Sequence, residues 1–245
     1  MQALRYKLIA RETYITMVLI FKNTLPREMI NHIYSYVHIE EKPTIRYQNF
    51  NNCIKEISKD MKHKFSKGAY CILNFMISVF VSKIVYMGGH LARYNRNKTI
   101  TSREIQAALR VLSYNDNGKV LRLFICNGTK AVTCYNAEVT DEKDQPNKRR
   151  NLRISSRLHL YPRRVETIMR QYIIDASKLD DDFSDMRMGI GAPIYLTGAL
   201  DVLVNQIIMS SEKYKTTRKI ISMDSILNGC KNNETLKLLF AELFI

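Results

Sequence analysis

A basic loop that runs directly into a well-marked helix start is the most chemically suggestive feature of the sequence. Arg96 and Lys98 lie a few residues before Thr101. Thr101 and Glu104 have the spacing of a capping box, so a helix is predicted to begin near Ser102. Cations held next to a helix N-terminus can bind phosphate groups. The pattern therefore favours binding of a polyanion over catalysis.

The charge balance of the chain supports the same interpretation. The 245 residues include 38 Lys and Arg against 23 Asp and Glu, a formal net charge of +15. This surplus exceeds what solubility requires, and it favours nucleic acid first and an acidic membrane surface second, with a merely solvated surface as the plain alternative. The chain is long enough to bury a substantial core.

Cysteine spacing and hydropathy narrow the class of protein further. The five cysteines are widely spaced and form no CxxC pair, which argues against a zinc knuckle and a disulfide framework and favours a reducing compartment. The longest apolar run, residues 71–87, contains Lys83 and shows helical periodicity, so no membrane span is expected. Charged residues interrupt the first dozen positions, so no signal peptide is expected either.

The first half of the chain predicts a short helix, a long helix and a second short helix. Apolar residues at steps of three and four indicate a long amphipathic helix over residues 66–95. A shorter amphipathic helix is expected over 50–61, and the capped helix that begins near Ser102 follows the long one. A basic loop separates each pair of helices.

The second half repeats this order. A short helix is predicted over 162–175, a long one over 192–213, and a third helix after Ser222, which lies 121 positions beyond Thr101. A basic segment, residues 215–222, again precedes the capped helix. An internal duplication of this kind indicates two similar units. Residues 137–155 have mixed charge, one proline and no apolar periodicity, and are expected to be a basic linker.

The motifs of both halves resemble core histones. LARYNRNKTITSREIQAALRVL, residues 91–112, and NGTKAVTCY, residues 127–135, resemble the 2B-type core histone and its extra C-terminal helix. RRVETIMR, MGIGAPIYL, RKIIS and NETLKLL, between residues 163 and 239, resemble the 2A-type core histone. One chain that joins both partners of a histone dimer resembles the histone doublets of giant DNA viruses of the marseillevirus kind.

The resemblance implies an all-α protein with two histone folds clasped as an intramolecular dimer. Its expected parts are an N-terminal extension (1–49), a 2B-like fold with a C-terminal helix (50–136), the linker (137–155) and a 2A-like fold (156–245). One such fold cannot bury both sides of its long helix, and fusion makes pairing intramolecular. Loop residues 62–67 should then meet 217–221, and Arg187 should meet residues 96–100.

Basic and hydroxyl side chains of the loops and first helices are the candidate DNA contacts. Arg187 matches the 2A-type loop arginine that enters the minor groove, a contact that reads shape and not bases. Either residue of the pairs Arg96/Lys98 and Arg218/Lys219 could be the corresponding inserted side chain. The full candidate set is Lys62, Lys64, Ser66, Lys67, Arg96, Lys98, Thr99, Arg153, Arg163, Arg164, Arg170, Arg187, Arg218 and Lys219.

Departures from the family pattern have their own consequences. Asp201 and Glu234 match carboxylates of the family's acidic surface patch, whereas Gln206 and Met209 replace others. Arginine-anchored factors should therefore bind this surface weakly. The family's C-terminal docking extension has no counterpart before Ile245, so attachment to a histone three and four tetramer is expected to be weaker. The acidic run at 180–182 lacks the spacing of a calcium loop.

The sequence offers no arrangement typical of an active site, and no enzyme activity, cofactor, metal or small-molecule substrate is expected. The leading hypothesis is a DNA-packaging protein that binds double-stranded DNA without sequence preference, together with a histone three/four-type doublet or dimer, in the virion and in the viral factory or nucleus of the host cell. A histone-fold transcription-regulatory subunit is the alternative. Residues 25–37 also faintly resemble an F-box helix, although an added helix packed on the core is the plainer interpretation.

Overall fold

The computed structural model describes residues 49–60, 64–112, 119–141, 152–178, 183–215 and 220–240. The expected N-terminal extension, including the F-box-like segment, lies outside these ranges except for its last residue. So do the basic residues of the expected linker before Arg153, the acidic run at 180–182, and the three candidate contacts Lys62, Arg218 and Lys219.

The first half forms the expected short, long and short helices, followed by a further helix. Its elements are α1 (Asn51–Asp60), β1 (Lys64–Phe65), α2 (Lys67–Tyr94), β2 (Thr99–Ile100), α3 (Ser102–Leu112) and α4 (Lys119–Asp141). The predicted bounds of the three helices are confirmed to within a residue at almost every end. Helix α4 is the C-terminal helix expected from residues 127–135, but it continues to Asp141. The expectation that the linker begins at 137 was therefore wrong.

The second half repeats the order of helices. Its elements are α5 (Leu152–Ser155), α6 (Pro162–Ser177), β3 (Arg187–Met188), α7 (Gly191–Ser211), a 3-10 turn (Glu212–Tyr214), β4 (Ile220–Ile221), α8 (Met223–Lys231) and α9 (Glu234–Leu239). Pro162 stands in the first turn of α6, where its missing N–H costs no helical hydrogen bond. Helix α5 occupies the end of the expected linker, so this part of the linker is also folded.

Helix caps explain where the short helices begin. The Glu104 carboxylate accepts hydrogen bonds from the Thr101 backbone N–H (2.8 Å) and the Thr101 hydroxyl (2.5 Å), which is the Glu104 half of the predicted box at α3. The Thr101 hydroxyl oxygen accepts from the N–H of Arg103 at 3.2 Å. Ser222 caps α8 and exchanges hydrogen bonds with Ser225, both at 3.2 Å. The predicted correspondence between Thr101 and Ser222 is therefore confirmed as a shared role at a helix start.

The two halves clasp one another through their loops and long helices. Strand β1 pairs in parallel with β4, and β2 pairs in parallel with β3, so each two-stranded sheet contains one strand from each half. Helix α2 packs against α6, α7 and α8, while α7 packs against α3 and α4. Among the described residues, the large apolar core cluster and a smaller one both take side chains from both halves. Neither half could bury its long helix without the other.

By length and composition alone, the helices Lys67–Tyr94 and Gly191–Tyr214 could each span a membrane. Most of each helix is buried inside the fold, against helices of both halves. The charged group of Lys83, in the middle of α2, is satisfied within the protein because its ammonium donates to the carbonyl of Leu239 at 2.8 Å. Burial in the apolar core between the two halves thus accounts for the high hydropathy of both helices.

Helices α4 and α7 approach closely where two glycines face the opposite helix. A Cβ on Gly198 would lie 2.8 Å from the carbonyl oxygen of Asn127, and a Cβ on Gly128 would lie 2.6 Å from the Tyr195 ring. The Asn127 side-chain amide donates to the carbonyl of Gly198 at 2.8 Å across the same crossing. This contact joins the C-terminal helix of the first half to the long helix of the second.

The Gly198→Ala variant should lower the free energy of unfolding by about 1–3 kcal/mol, because the added methyl group meets backbone atoms that cannot move aside easily. Gly88→Ala, in the interior of α2, is the matched control. Its Cβ would have ordinary contacts of 3.5 Å and longer, so helix propensity should leave stability unchanged or raise it by up to about 1 kcal/mol. Urea unfolding monitored by circular dichroism measures both. Equal effects of the two changes would contradict the tight crossing.

Candidate nucleic-acid interface

The first loop pair consists of β1 and β4 with their flanking residues. Lys64 lies opposite Ile220, and the backbone N–H of Ser66 donates to the carbonyl of Ile221 at 3.1 Å. The Ser66 side chain caps α2 by accepting from the N–H of Ala69 at 3.1 Å. The predicted meeting of residues 62–67 with 217–221 is confirmed for the described residues. Lys64 and Lys67, which both belong to this loop pair, are exposed.

The second loop pair consists of β2 and β3 with their flanking residues. Thr99 lies opposite Arg187, whose backbone N–H donates to the carbonyl of Lys98 at 2.7 Å. The N–H of Gly189 donates to the carbonyl of Ile100 at 2.9 Å. The predicted meeting of Arg187 with residues 96–100 is thus confirmed, and the side chain of Arg187 is exposed beside Thr99.

Arg96 projects from the second loop pair because of how α2 ends. The N–H of Asn97 donates to the carbonyl of Ala92, and the N–H of Arg96 donates to the carbonyl of Arg93, each at 2.8 Å. These are the two hydrogen bonds of a Schellman motif, which places its central residue in the left-handed region. Arg96 has φ 57° there, where glycine would be unstrained.

Arg157 stands at the end of α5 in the same kind of turn and was missed by the sequence prediction. It has φ 54°, its N–H donates to the carbonyl of Ile154, and the N–H of Leu158 donates to the carbonyl of Arg153, each at 3.0 Å. The side chain of Arg157 is exposed. A glycine at this position would have marked the turn in the sequence, whereas an arginine gives no such signal.

Arg153, one of the candidate DNA contacts, is held by contacts within the protein. Its guanidinium pairs with Glu56 of the first half and donates to the Tyr161 hydroxyl at 3.0 Å and the Leu158 carbonyl at 3.1 Å. The guanidinium also lies 4.5 Å from the centre of the Tyr161 ring. Only 20% of the Arg153 side chain is exposed. Through these contacts Arg153 links the second half to Glu56 of the first half.

The arginines of α6 differ in how free they are. Arg163 is exposed, whereas Arg164 lies 5.0 Å from the Tyr161 ring centre and donates to the carbonyl of Asn49. Arg170 is exposed but pairs with Glu166 one turn earlier, at 2.7 Å. Exposed pairs of this kind are weak and leave the cation able to exchange partners.

Asp201 does not belong to a surface acidic patch, so that expectation was wrong. Its side chain is buried, and its carboxylate accepts the backbone N–H groups of His159 (2.8 Å) and Leu160 (3.0 Å). Burial raises the pKa of Asp201 to about 6, while the two backbone hydrogen bonds act in the opposite direction. Asp201 fixes the segment that leads into α6 and its arginines. Glu234 is exposed at the start of α9.

Residues 31–111 match the core histone domain family, which comprises the 2A, 2B, three and four types. This segment is a core histone domain. The match covers α1, α2 and nearly all of α3, and it begins before residue 50, among residues that the structure does not describe. The core histone family is non-enzymatic. Its presence implies a DNA-packaging role of the nucleosome type, DNA and histone partners, and a chromatin or nuclear-type location.

The pKa of Asp201 predicts a pH dependence of stability. Since its folded pKa of about 6 lies above its ordinary value, the folded state keeps a proton between about pH 4 and 6 that the unfolded state has released. The contribution of Asp201 to the free energy of unfolding should therefore be largest below about pH 4. It should fall by roughly 1–3 kcal/mol as the pH rises to 6. Asp201→Asn should lack this change. Parallel unfolding free energies of the two proteins from pH 4 to 7 would show that Asp201 has an ordinary pKa.

Proposed function

We propose that the chain is a fused core-histone dimer in which residues 50–136 form the 2B-like half and residues 156–245 the 2A-like half. The observation that carries the proposal is the pairing of loops: β1 of one half with β4 of the other, and β2 with β3. The second half repeats the helix order of the first, and its motifs resemble the 2A-type histone. Each half also supplies the apolar surface that the long helix of the other must cover.

The proposed DNA surface runs from the first loop pair to the second. Helix α2 joins them, and its 28 residues span about 42 Å. The inward-facing minor groove of a duplex recurs about every 10 base pairs, or roughly 35 Å. In the proposed arrangement the α6 arginines contact the duplex between the two loop pairs, one helical turn from each, so the DNA follows a path of about 70 Å. The difference between the two lengths requires the DNA to curve around the protein.

Binding by this surface would read charge and shape. Arg163, Arg187, Lys64 and Lys67 present exposed cations, and the backbone N–H groups at the start of α2 add a partial positive charge. A charge-and-curvature mechanism of this kind gives DNA packaging without sequence preference.

The partner and the setting rest on the resemblance to giant-virus doublets. The proposed partner is a histone three/four-type doublet or dimer, with which the chain would wrap viral double-stranded DNA into nucleosome-like particles. The proposed locations are the virion and the viral factory or nucleus of the infected cell. The candidate contacts Lys62, Arg218 and Lys219 would extend the first loop pair, and Ser66, Thr99 and Arg170 would add phosphate ligands.

Nuclease protection tests the proposed function. The full-length chain, mixed with a histone three/four-type partner and random-sequence DNA, should give protected fragments of discrete length with no common sequence. The partner alone and the chain alone are the controls. Protection of one preferred motif would favour the transcription-regulatory alternative, and the absence of protected fragments would contradict packaging.

The Arg187→Ala variant should weaken DNA binding to the same extent on unrelated sequences. Loss of one phosphate contact should reduce the slope of log K against log salt by about 0.9. Lys130→Ala, an exposed cation on α4 outside both loop pairs, is the matched control and should leave the slope nearly unchanged. Fluorescence anisotropy with short duplexes at several salt concentrations measures both variants. A loss confined to one DNA sequence would rule out the proposed role of Arg187.

A further inference from the structure

The segment 183–188 of the second half is fixed on the first half by an aromatic anchor. The ring of Phe183 is buried against α2, where a Cβ on Gly89 would overlap it. The rings of Tyr86, at 6.1 Å between centroids, and Tyr172, at 6.5 Å, surround it. The position of the following turn is therefore set by packing, and this turn places Asp185 over the end of α2.

Asp185 binds two cations of the first half at once. One carboxylate oxygen lies 2.5 Å from a guanidinium nitrogen of Arg93, and the other lies 2.6 Å from the ammonium nitrogen of Lys98. The carbonyl of Lys98 also accepts from the N–H of Arg187, so side chain and backbone of Lys98 are both engaged by the second half. The hydrogen bond from Lys98 lowers the pKa of Asp185, so the carboxylate stays charged to a lower pH than an ordinary aspartate does.

We propose that Asp185 acts as an internal substitute for a DNA phosphate, which occupies Lys98 in the absence of DNA and competes with the duplex for this cation when DNA binds. This inference rests on the proposed function, because it concerns the strength of the same DNA surface. It assigns Asp185 the role of a positioning residue that limits the affinity of the second loop pair.

The two loop pairs differ in whether their lysines form ion pairs within the protein. Within the part of the chain that the structure describes, Lys64 and Lys67 of the first loop pair form no ion pair. Lys98 of the second loop pair is 67% exposed and Asp185 is 40% exposed, so solvent screens their attraction and a phosphate can replace the carboxylate. The replacement must still break an existing pair. Lys98 therefore contributes less to DNA binding than an exposed lysine without an ion pair, such as Lys64.

A double-mutant cycle on the full-length chain tests the inference. The variants are Asp185→Asn, Lys98→Gln and the double substitution, with affinity for a short duplex measured between 50 and 200 mM salt. In the parent chain, Lys98→Gln should change affinity less than twofold. In the Asp185→Asn background the same substitution should remove a full phosphate contact, with a slope change of about 0.9 and a three- to fourfold difference in its effect across this salt range.

Lys64→Gln in both backgrounds is the matched control, since a general gain of positive charge would affect it equally. Its effect should be the same with and without Asp185. Equal effects of Lys98→Gln in the two backgrounds would overturn the role of Asp185 and leave the proposed function intact. A parent chain that binds no DNA would overturn both. Urea unfolding of each variant establishes that the binding differences arise in folded protein.

Discussion

Burial of the two long apolar helices is the constraint on which the rest of the structure depends. Each of α2 and α7 is apolar on more faces than its own short helices can cover, so each must take surface from the opposite half. Antiparallel packing of the two similar helical units covers the apolar faces of both long helices. The parallel loop pairs follow from this packing, because the start of one long helix then lies beside the loop that follows the other. The basic loops are therefore neighbours as a consequence of core burial.

Features with a local cause were accessible from the sequence. The bounds of α2 and α3 follow from apolar periodicity and from the Thr101 and Glu104 pair, and the duplication predicts α6, α7 and α8 in turn. The meeting of Arg187 with residues 96–100 required the family resemblance as well, since no periodicity specifies which loops touch. The end of α4 was mispredicted because residues 137–141 have no apolar periodicity of their own and still continue a helix that packs through its earlier turns.

Features with a tertiary cause were not accessible. Arg153 lies in a basic stretch of sequence that is typical of a linker or tail. Only the fold brings Glu56 and Tyr161 to it. Asp201 matches a surface carboxylate of the family it resembles, but the chain before α6 folds back over it and supplies two N–H donors. Asp185 lies in a loop with no recognisable motif, and its partners are about ninety positions away. In each case an ordinary charged residue acquires its role from a distant partner.

The crossing of α4 and α7 has a consequence for how such a protein can vary. Two interacting helices that belong to separate chains can each be replaced independently of the other. Here the two helices that meet at Gly128 and Gly198 belong to one polypeptide. Their stoichiometry is therefore fixed at synthesis, and neither helix can be replaced without the other.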